Sequence, residues 1–239
     1  MQSEPQLAPA GTRPPDVRDM AIVHQAYRRE FALAPRILRD LLPEEHERRA
    51  AAAEWFAMML LSMRHHHVAE DALLYPLLDG RTPTELLDHM ERQHREVAQA
   101  VATVQARLEE WERGTAGPAE ALACSYEALL DVLVPHLDDE ELTIVPLIGD
   151  YLSAEEYGRM ATSGNGHYTP RTLMMAFGAM IEQCSAPDAE FMLSHLPPDV
   201  RAAWDSHGAQ EYTEWMTLLR HGIRPVPPPT TRAQPGQVT

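Results

Sequence analysis

Four histidines and two glutamates recur at a single interval along this 239-residue chain. His24 and His94 are 70 residues apart, and the same offset relates His66 to His136, Glu70 to Glu140 and Pro76 to Pro146. Each half therefore carries a histidine, a second histidine 42 residues on, a glutamate four later and a proline six beyond that. With only 12 histidines in the chain, so many matches at one offset indicate an internal repeat. The chemistry open to such a set is metal binding. Imidazole with carboxylate and no thiolate suits iron or manganese, with zinc as a substitute. Two carboxylates drawn from opposite halves can bridge two ions, as di-metal centres in helical bundles do. A hydrogen-bonded His–Glu network is the alternative for any one of these groups, and a metal site is the better account of six.

Helices must position them. Ala, Leu, Glu, Arg and Met dominate, and no alternating β-branched run is long enough for a strand. Turn signals at Leu42-Pro43, Gly80-Arg81-Thr82-Pro83 and Gly114-Thr115-Ala116-Gly117-Pro118 predict helices over 17–42, 44–79, 84–113 and 119–149. Short connections make neighbours antiparallel, so the predicted fold is all-α, an up-down antiparallel four-helix bundle with additional C-terminal helices. Two residues on neighbouring antiparallel helices are level when their midpoint falls at the turn. The midpoints of His24 and His66, His66 and His94, and His94 and His136 are 45, 80 and 115, at or beside the three breaks. Glu70 and Glu140 follow their histidines by one turn on the same faces. Those faces are otherwise apolar: Met90 and Val97 flank His94, Leu129 and Leu133 precede His136, Met59 and Leu73 flank His66, and Met20, Tyr27 and Phe31 accompany His24. Left unpaired there, each polar group costs on the order of 1–3 kcal/mol, which a metal ion relieves. Pro35, Pro76, Pro135 and Pro146 fall inside the spans and should kink or end them.

The stretch His65-His66-His67-Val68-Ala69-Glu70-Asp71-Ala72-Leu73-Leu74-Tyr75-Pro76 resembles the hemerythrin-like family, the HHE cation-binding domain. So does His136-Leu137-Asp138-Asp139-Glu140-Glu141-Leu142-Thr143-Ile144-Val145-Pro146, and the likeness covers about residues 17–150. It implies a non-haem site of two iron ions that meets dioxygen, peroxide or nitric oxide. By that resemblance one iron takes His24 and His66 and the other His94 and His136, with Glu70, Glu140 and an oxo or hydroxo group bridging. The oxygen carriers of the family place one more histidine a helical turn before the position of His94, where this chain has Met90. His89 lies about 100° around the helix from that position. A less saturated second iron favours redox turnover over reversible oxygen carriage. Tyr27, on the stripe of His24, is the candidate catalytic residue able to reach the gap, with core packing as its plainer role.

Other residues are read as bystanders. His65 and His67 flank His66 on other faces and are expected to be exposed or to support the ligands. His67 with Asp71 repeats the His-x-x-x-Glu spacing in acid form but has no counterpart 70 residues on. His207 with Glu211 fits it too, yet Gly208 intervenes and no proline follows. The acids from Asp138 to Glu141, Glu140 excepted, read as a solvated face, and Cys124 and Cys184 as buried or inert. Beyond the bundle, Ser153-Ala154-Glu155-Glu156 is a capping box, Gly164-Asn165-Gly166 breaks the chain, and Thr172–Cys184 is Met-rich. A further helix should run from Pro197-Pro198 to about Arg220. These helices are either extra core or a cap over the metal site, with Met174, Met175 and Phe177 lining a pocket.

Composition bounds the function. All 20 basic residues are Arg, against 36 acids, for a net charge of −16. So acidic a chain is a poor partner for nucleic acid or an anionic membrane. No apolar run approaches the ~18 residues of a membrane span, and no basic-then-apolar leader stands at the start, so a cytoplasmic location is expected. The expected organisation is a tail over 1–15, the bundle over 16–150, a packed helical extension over 151–222 and a Pro-rich tail over 223–239. The expected function is a redox enzyme, either an oxidase or oxygenase on a small organic substrate or a peroxide-decomposing protein. The alternative is a non-catalytic protein that binds or senses oxygen, nitric oxide or iron.

Overall fold

The computed structural model describes residues 13–114, 118–161 and 168–225. Most of both predicted tails, part of the third break, and Gly164-Asn165-Gly166 lie outside those residues. The described residues are helical throughout, with no strand among them. None of these helices is long and apolar enough to cross a membrane.

Four long helical runs carry the repeat: α1 Arg18–Asp40, α2 His46–Ala69, α4 Thr84–Glu112 and α5 Pro118–Thr143. α1 packs on α5, α5 on α4, and α4 on α2. In α4 the buried stripe is Leu87, Met90, His94, Val97, Val101, Val104, Leu108 and Trp111, steps of three and four that keep one face inward. Each fully buried apolar side chain of this size contributes about 1.5–3 kcal/mol.

The prolines of the repeat mark the ends of the long helices. Before Pro76 the chain opens into a π turn, Glu70–Leu74, and then resumes as α3, Tyr75–Leu78. Pro76 has no N–H and its ring would collide with the carbonyl four residues back, so a wider turn relieves both problems. Before Pro146, α5 stops at Thr143 and α6, Val145–Tyr151, begins. Pro35 and Pro135 instead lie inside α1 and α5, which continue past them.

Two apolar clusters share these helices. One holds Phe31, Leu33, Met63, Val97, Val104, Leu129 and Leu133. The other holds Met20, Leu74, Leu78, Leu87, Met90, Ile144 and Ile148. Between them in sequence on every helix stands a member of the His/Glu set. The order of the clusters along the chain also reverses from α1 to α2, α2 to α4, and α4 to α5.

The remaining helices are α7 Ala154–Ala161, α8 Pro170–Ile181, α9 Ala186–Leu193, α10 Pro198–Ala203 and α11 Ala209–Arg220. Ser153 and Glu156 cap each other reciprocally, and the side chains of Thr169 and Ser185 accept the N–H groups of Thr172 and Asp188. The helix expected from Pro198 to Arg220 is interrupted by a second π turn, Trp204–Gly208. α8 packs on α1 and α2, and α11 on α2, within the first apolar cluster. Buried charges fasten this contact. Arg29 donates to Glu30 (2.7 Å) and to the Ala179 carbonyl, Trp55 donates to Glu30 (3.1 Å), and Arg220 reaches both Glu30 (2.9 Å) and Glu182.

Candidate metal centre

The six residues of the repeat meet in one buried layer. His24, Glu70, His136 and Glu140 have no exposed surface and His94 almost none, while His66 is partly open. The ligand atoms fall into two groups, His24–His66–Glu70–Glu140 and His67–His94–His136, each within 4.8 Å. In the first, His66 Nε2 stands 3.1 Å from His24 Nε2 and 3.1 Å from Glu70 Oε1. The other Glu70 oxygen faces across to His94 Nε2 at 3.7 Å. Glu140 Oε2 lies 3.5 Å from His24 Nε2 and 3.7 Å from His136 Nε2. Each carboxylate thus spans the two groups.

Partners outside the layer orient the rings. His24 Nδ1 meets Glu141 Oε1 at 3.0 Å, His94 Nδ1 meets Asp71 Oδ1 at 2.7 Å, and His136 Nδ1 meets Gln93 Oε1 at 3.3 Å. An acceptor at Nδ1 places the proton there and leaves the Nε2 lone pair aimed inward. Arg28 in turn fixes Glu141 and Asp138, each at 2.7 Å. The acids beside Glu140 are therefore half-buried supports for the layer, where the sequence suggested a solvated face.

Electrostatics leave the donors ready for a cation. Burial, then neighbouring imidazoles, holds the His66 and His67 pKa values well below the usual histidine range, and His136 is pushed down to about 2. Burial, then Glu140 and Asp71, raises the Glu70 carboxyl well above the usual range. Both Glu70 oxygens, Glu140 Oε2, His136 Nε2 and His67 Nε2 are buried without a hydrogen-bond partner. So many orphaned acceptors in one layer are too costly to explain as core packing. Imidazoles held neutral at His66, His67 and His136, beside carboxylate oxygens with open lone pairs, fit one or two hard-to-borderline cations, and binding would displace the proton favoured on Glu70.

Two residues outside the repeat join the layer. His67 is buried, with its ring stacked on His94 at 4.3 Å and edge-on to His136 at 4.9 Å. Of the two roles expected of His67, exposed or supporting, the exposed one gives way here. The interior at this level is wide enough for adjacent residues of α2 to face opposite halves, His66 toward His24 and His67 toward His94. Tyr75 is the second. Its hydroxyl donates to Glu140 Oε1 at 3.0 Å and lies 3.2 Å from His94 Nε2. The π turn brings it there, since the Tyr75 N–H bonds the Glu70 carbonyl five residues back. In an α-helix five residues correspond to about 500°, which would turn Tyr75 well away from Glu70.

Tyr27 stands on the His66 side. Its hydroxyl pairs with Ser62 at 2.9 Å and its ring lies 5.6 Å from His66. Met90 is fully buried in the second apolar cluster, and the hydroxyl beside His94 Nε2 is that of Tyr75. His65 bonds Tyr168 at 3.1 Å. His207 and Glu211 do not meet: His207 is exposed beside Ser206, and Glu211 pairs with Arg171 at 2.6 Å. Cys124 is exposed rather than buried, and its hydrogen bond to Glu120 raises its thiol pKa.

Two cavities touch the layer. One of about 130 Å³ lies beneath α8 and includes Tyr27, Ser62 and His66 in its lining. The other, about 220 Å³, opens between α2 and α4 and includes Arg64, His67, Asp71, His94 and Arg95. Of the three α8 residues expected to line a pocket, Phe177 does so. Met174 and Met175 turn into the core, because the cavity face of α8 is Leu173, Ala176, Phe177 and Met180.

Buried imidazoles and carboxylates held in one layer between helices, several of their ligand atoms without a partner, define a cation-binding helical domain. The hemerythrin HHE cation-binding domain matches residues 16–148, more than half of the chain, and the chain belongs to that family. No curated protein and no solved structure matches it.

Proposed function

We propose that the chain forms an up-down antiparallel four-helix bundle holding two iron ions, and that it is a redox enzyme acting on dioxygen or peroxide. The reversal of the two apolar clusters from helix to helix supports the topology. The observation that carries the metal reading is the set of orphaned ligand atoms in one buried layer. His24 and His66 would hold one ion, and His94 and His136, joined by His67, the other, with Glu70 and Glu140 shared. Manganese or zinc would suit the same donors less specifically.

When bound, the iron pair supplies exchange of one or two electrons with a small oxidant. The protein's own residues do the rest. Asp71, Glu141 and Gln93 hold Nδ1 protons in place and so keep the rings in register. Tyr75 keeps a hydroxyl proton at Glu140 Oε1, and burial raises its pKa, so the phenol stays protonated in the neutral range. The apolar clusters on either side exclude water. A cavity reaching His66 favours turnover of an organic molecule over simple carriage.

Metal analysis of protein produced with iron should find about two equivalents per chain, and the protein should then consume peroxide catalytically. One equivalent or none overturns the di-iron centre. Two equivalents with reversible oxygen or nitric oxide binding and no turnover would instead establish a binding or sensing protein.

A further inference from the structure

The cavity beneath α8 has a composition of its own. Its middle is apolar and soft, formed by Met20, Val23, Leu173, Phe177, Met180 and Met192. Along one wall run hydroxyl and imidazole groups: Tyr27 pairs with Ser62 at 2.9 Å, Ser62 also bonds Tyr168, and Tyr168 meets His65 at 3.1 Å. His66 closes the end nearest the metal layer. Among the described residues no arginine lines it, and the one carboxylate, Asp19, already accepts the Tyr157 hydroxyl at 2.7 Å.

Each feature restricts the occupant. An anion would meet Asp19 with no arginine to pair it and only the imidazoles of His65, His66 and His195 nearby, so a carboxylate or phosphate is disfavoured. A volume of about 130 Å³ is close to that of cavities of ~150 Å³ that take one benzene ring. Thioethers and a phenyl ring on the walls suit an aromatic face. The hydroxyl row offers a donor and an acceptor to one polar substituent. We infer that this cavity is a binding site for a neutral single-ring aromatic molecule carrying one hydroxyl group, held beside His66 with its hydroxyl on the Tyr27–Ser62 pair. This inference rests on the di-iron reading only for what happens to the ligand, since the site itself is built from residues of α1, α2, α7, α8 and α9 with Tyr168 and His195.

Calorimetric titration of the iron-loaded full chain with phenol, toluene and benzoate tests it, with iron content measured on the same sample. Phenol should saturate with a Kd of about 1 mM or tighter, toluene should bind more weakly, and benzoate should not bind. Tyr27→Phe should weaken phenol roughly tenfold and leave toluene unchanged, the loss of one hydrogen bond. Met180→Trp, at the partly open rim, should fill the space and abolish binding of both. Ala176→Leu on the same face of α8 serves if the tryptophan variant does not fold. Phenol affinity unchanged in the filled variant, equal affinity for benzoate, or no saturation with phenol would each overturn the assignment. Phenol binding without about two iron equivalents would overturn the metal reading alone, and iron without phenol binding would overturn this one alone.

Discussion

His67 offers the sharpest test of the centre, because sequence spacing set it aside and the structure places it inside. Consider His67→Ala. In the metal-free protein the ring is 6% exposed, stacked on His94, and its Nε2 has no partner. Removing it relieves an unsatisfied buried nitrogen, worth about 1–3 kcal/mol. It also leaves a cavity the size of an imidazole, costing a similar 2–3 kcal/mol. The two nearly cancel, so metal-free stability should shift by less than about 1 kcal/mol. The metal-loaded protein should respond differently. Loss of a supporting group alone costs 10–100-fold in metal affinity, and loss of a ligand should cost at least about 100-fold, or ~2.7 kcal/mol of linked stability. Urea denaturation with and without iron, beside a count of bound iron, reads both quantities. The expected result is one ion retained, the second lost, and a stability deficit that appears only with metal. Met90→His, one turn before His94 on the same face, should restore the second ion in the His67→Ala background. Equal destabilisation in both states with full iron occupancy would show that His67 is core packing and no ligand.

Asp71→Asn removes the charge behind His94 Nδ1, 2.7 Å away, and should lower iron affinity about 10–100-fold while far-ultraviolet circular dichroism stays unchanged. Gly178→Ala would set a methyl 2.5 Å from the Tyr212 ring, costing about 1–3 kcal/mol of stability by denaturant titration. Arg220→Met takes one of two arginines from buried Glu30 and half-buried Glu182, leaving Arg29, and should cost about 1–3 kcal/mol. Its cost should also depend on pH. Burial tends to raise the Glu182 carboxyl, but Arg220 overrides this and holds it below its ordinary value of 4.5. That contribution is present above pH 4.5 and fades as pH falls through the lowered value, so the gap between wild type and Arg220→Met should narrow in acid. A gap constant from pH 7 to pH 3 would refute the pairing.

What the sequence made legible was whatever repeats with helical period. α1 and α4 lie within two residues of the spans their turn signals predict, because Gly and Pro punctuate an otherwise helix-favouring chain, whereas α2 and α5 stop at Ala69 and Thr143, short of the predicted 79 and 149, where the chain changes course ahead of Pro76 and Pro146. The level of His24, His66, His94 and His136 follows from turn midpoints alone, and the structure brings all four to one layer with Glu70 and Glu140. Departures from the period were not legible. Tyr75 sits five residues after Glu70, a spacing that points elsewhere in any regular helix, and only the π turn ahead of Pro76 brings it to Glu140. His67 was hidden by the assumption that one residue per turn faces inward, which fails where two successive residues of α2, His66 and His67, both meet the polar layer. Asp71, Gln93 and Glu141 were hidden for a third reason. They bond the outward nitrogen of each ring from a neighbouring helix, or from another turn, and no spacing within one helix encodes that. Pro76 is the signal that could have been pressed further. A proline six residues after a buried glutamate forces the preceding turn to widen or break, and a wider turn admits the residue one position beyond the expected face. The second half has the same Pro146 but resolves it with a break at Ile144, and there no tyrosine follows Glu140 by five residues. The six ligands of the repeat are therefore symmetric, whereas His67 and Tyr75 have no counterparts in the second half, where Leu137 and Val145 stand. That asymmetry places the hydroxyl proton on the His94 side and the hydroxyl-lined cavity on the His66 side, so the two halves of the layer meet different chemistry.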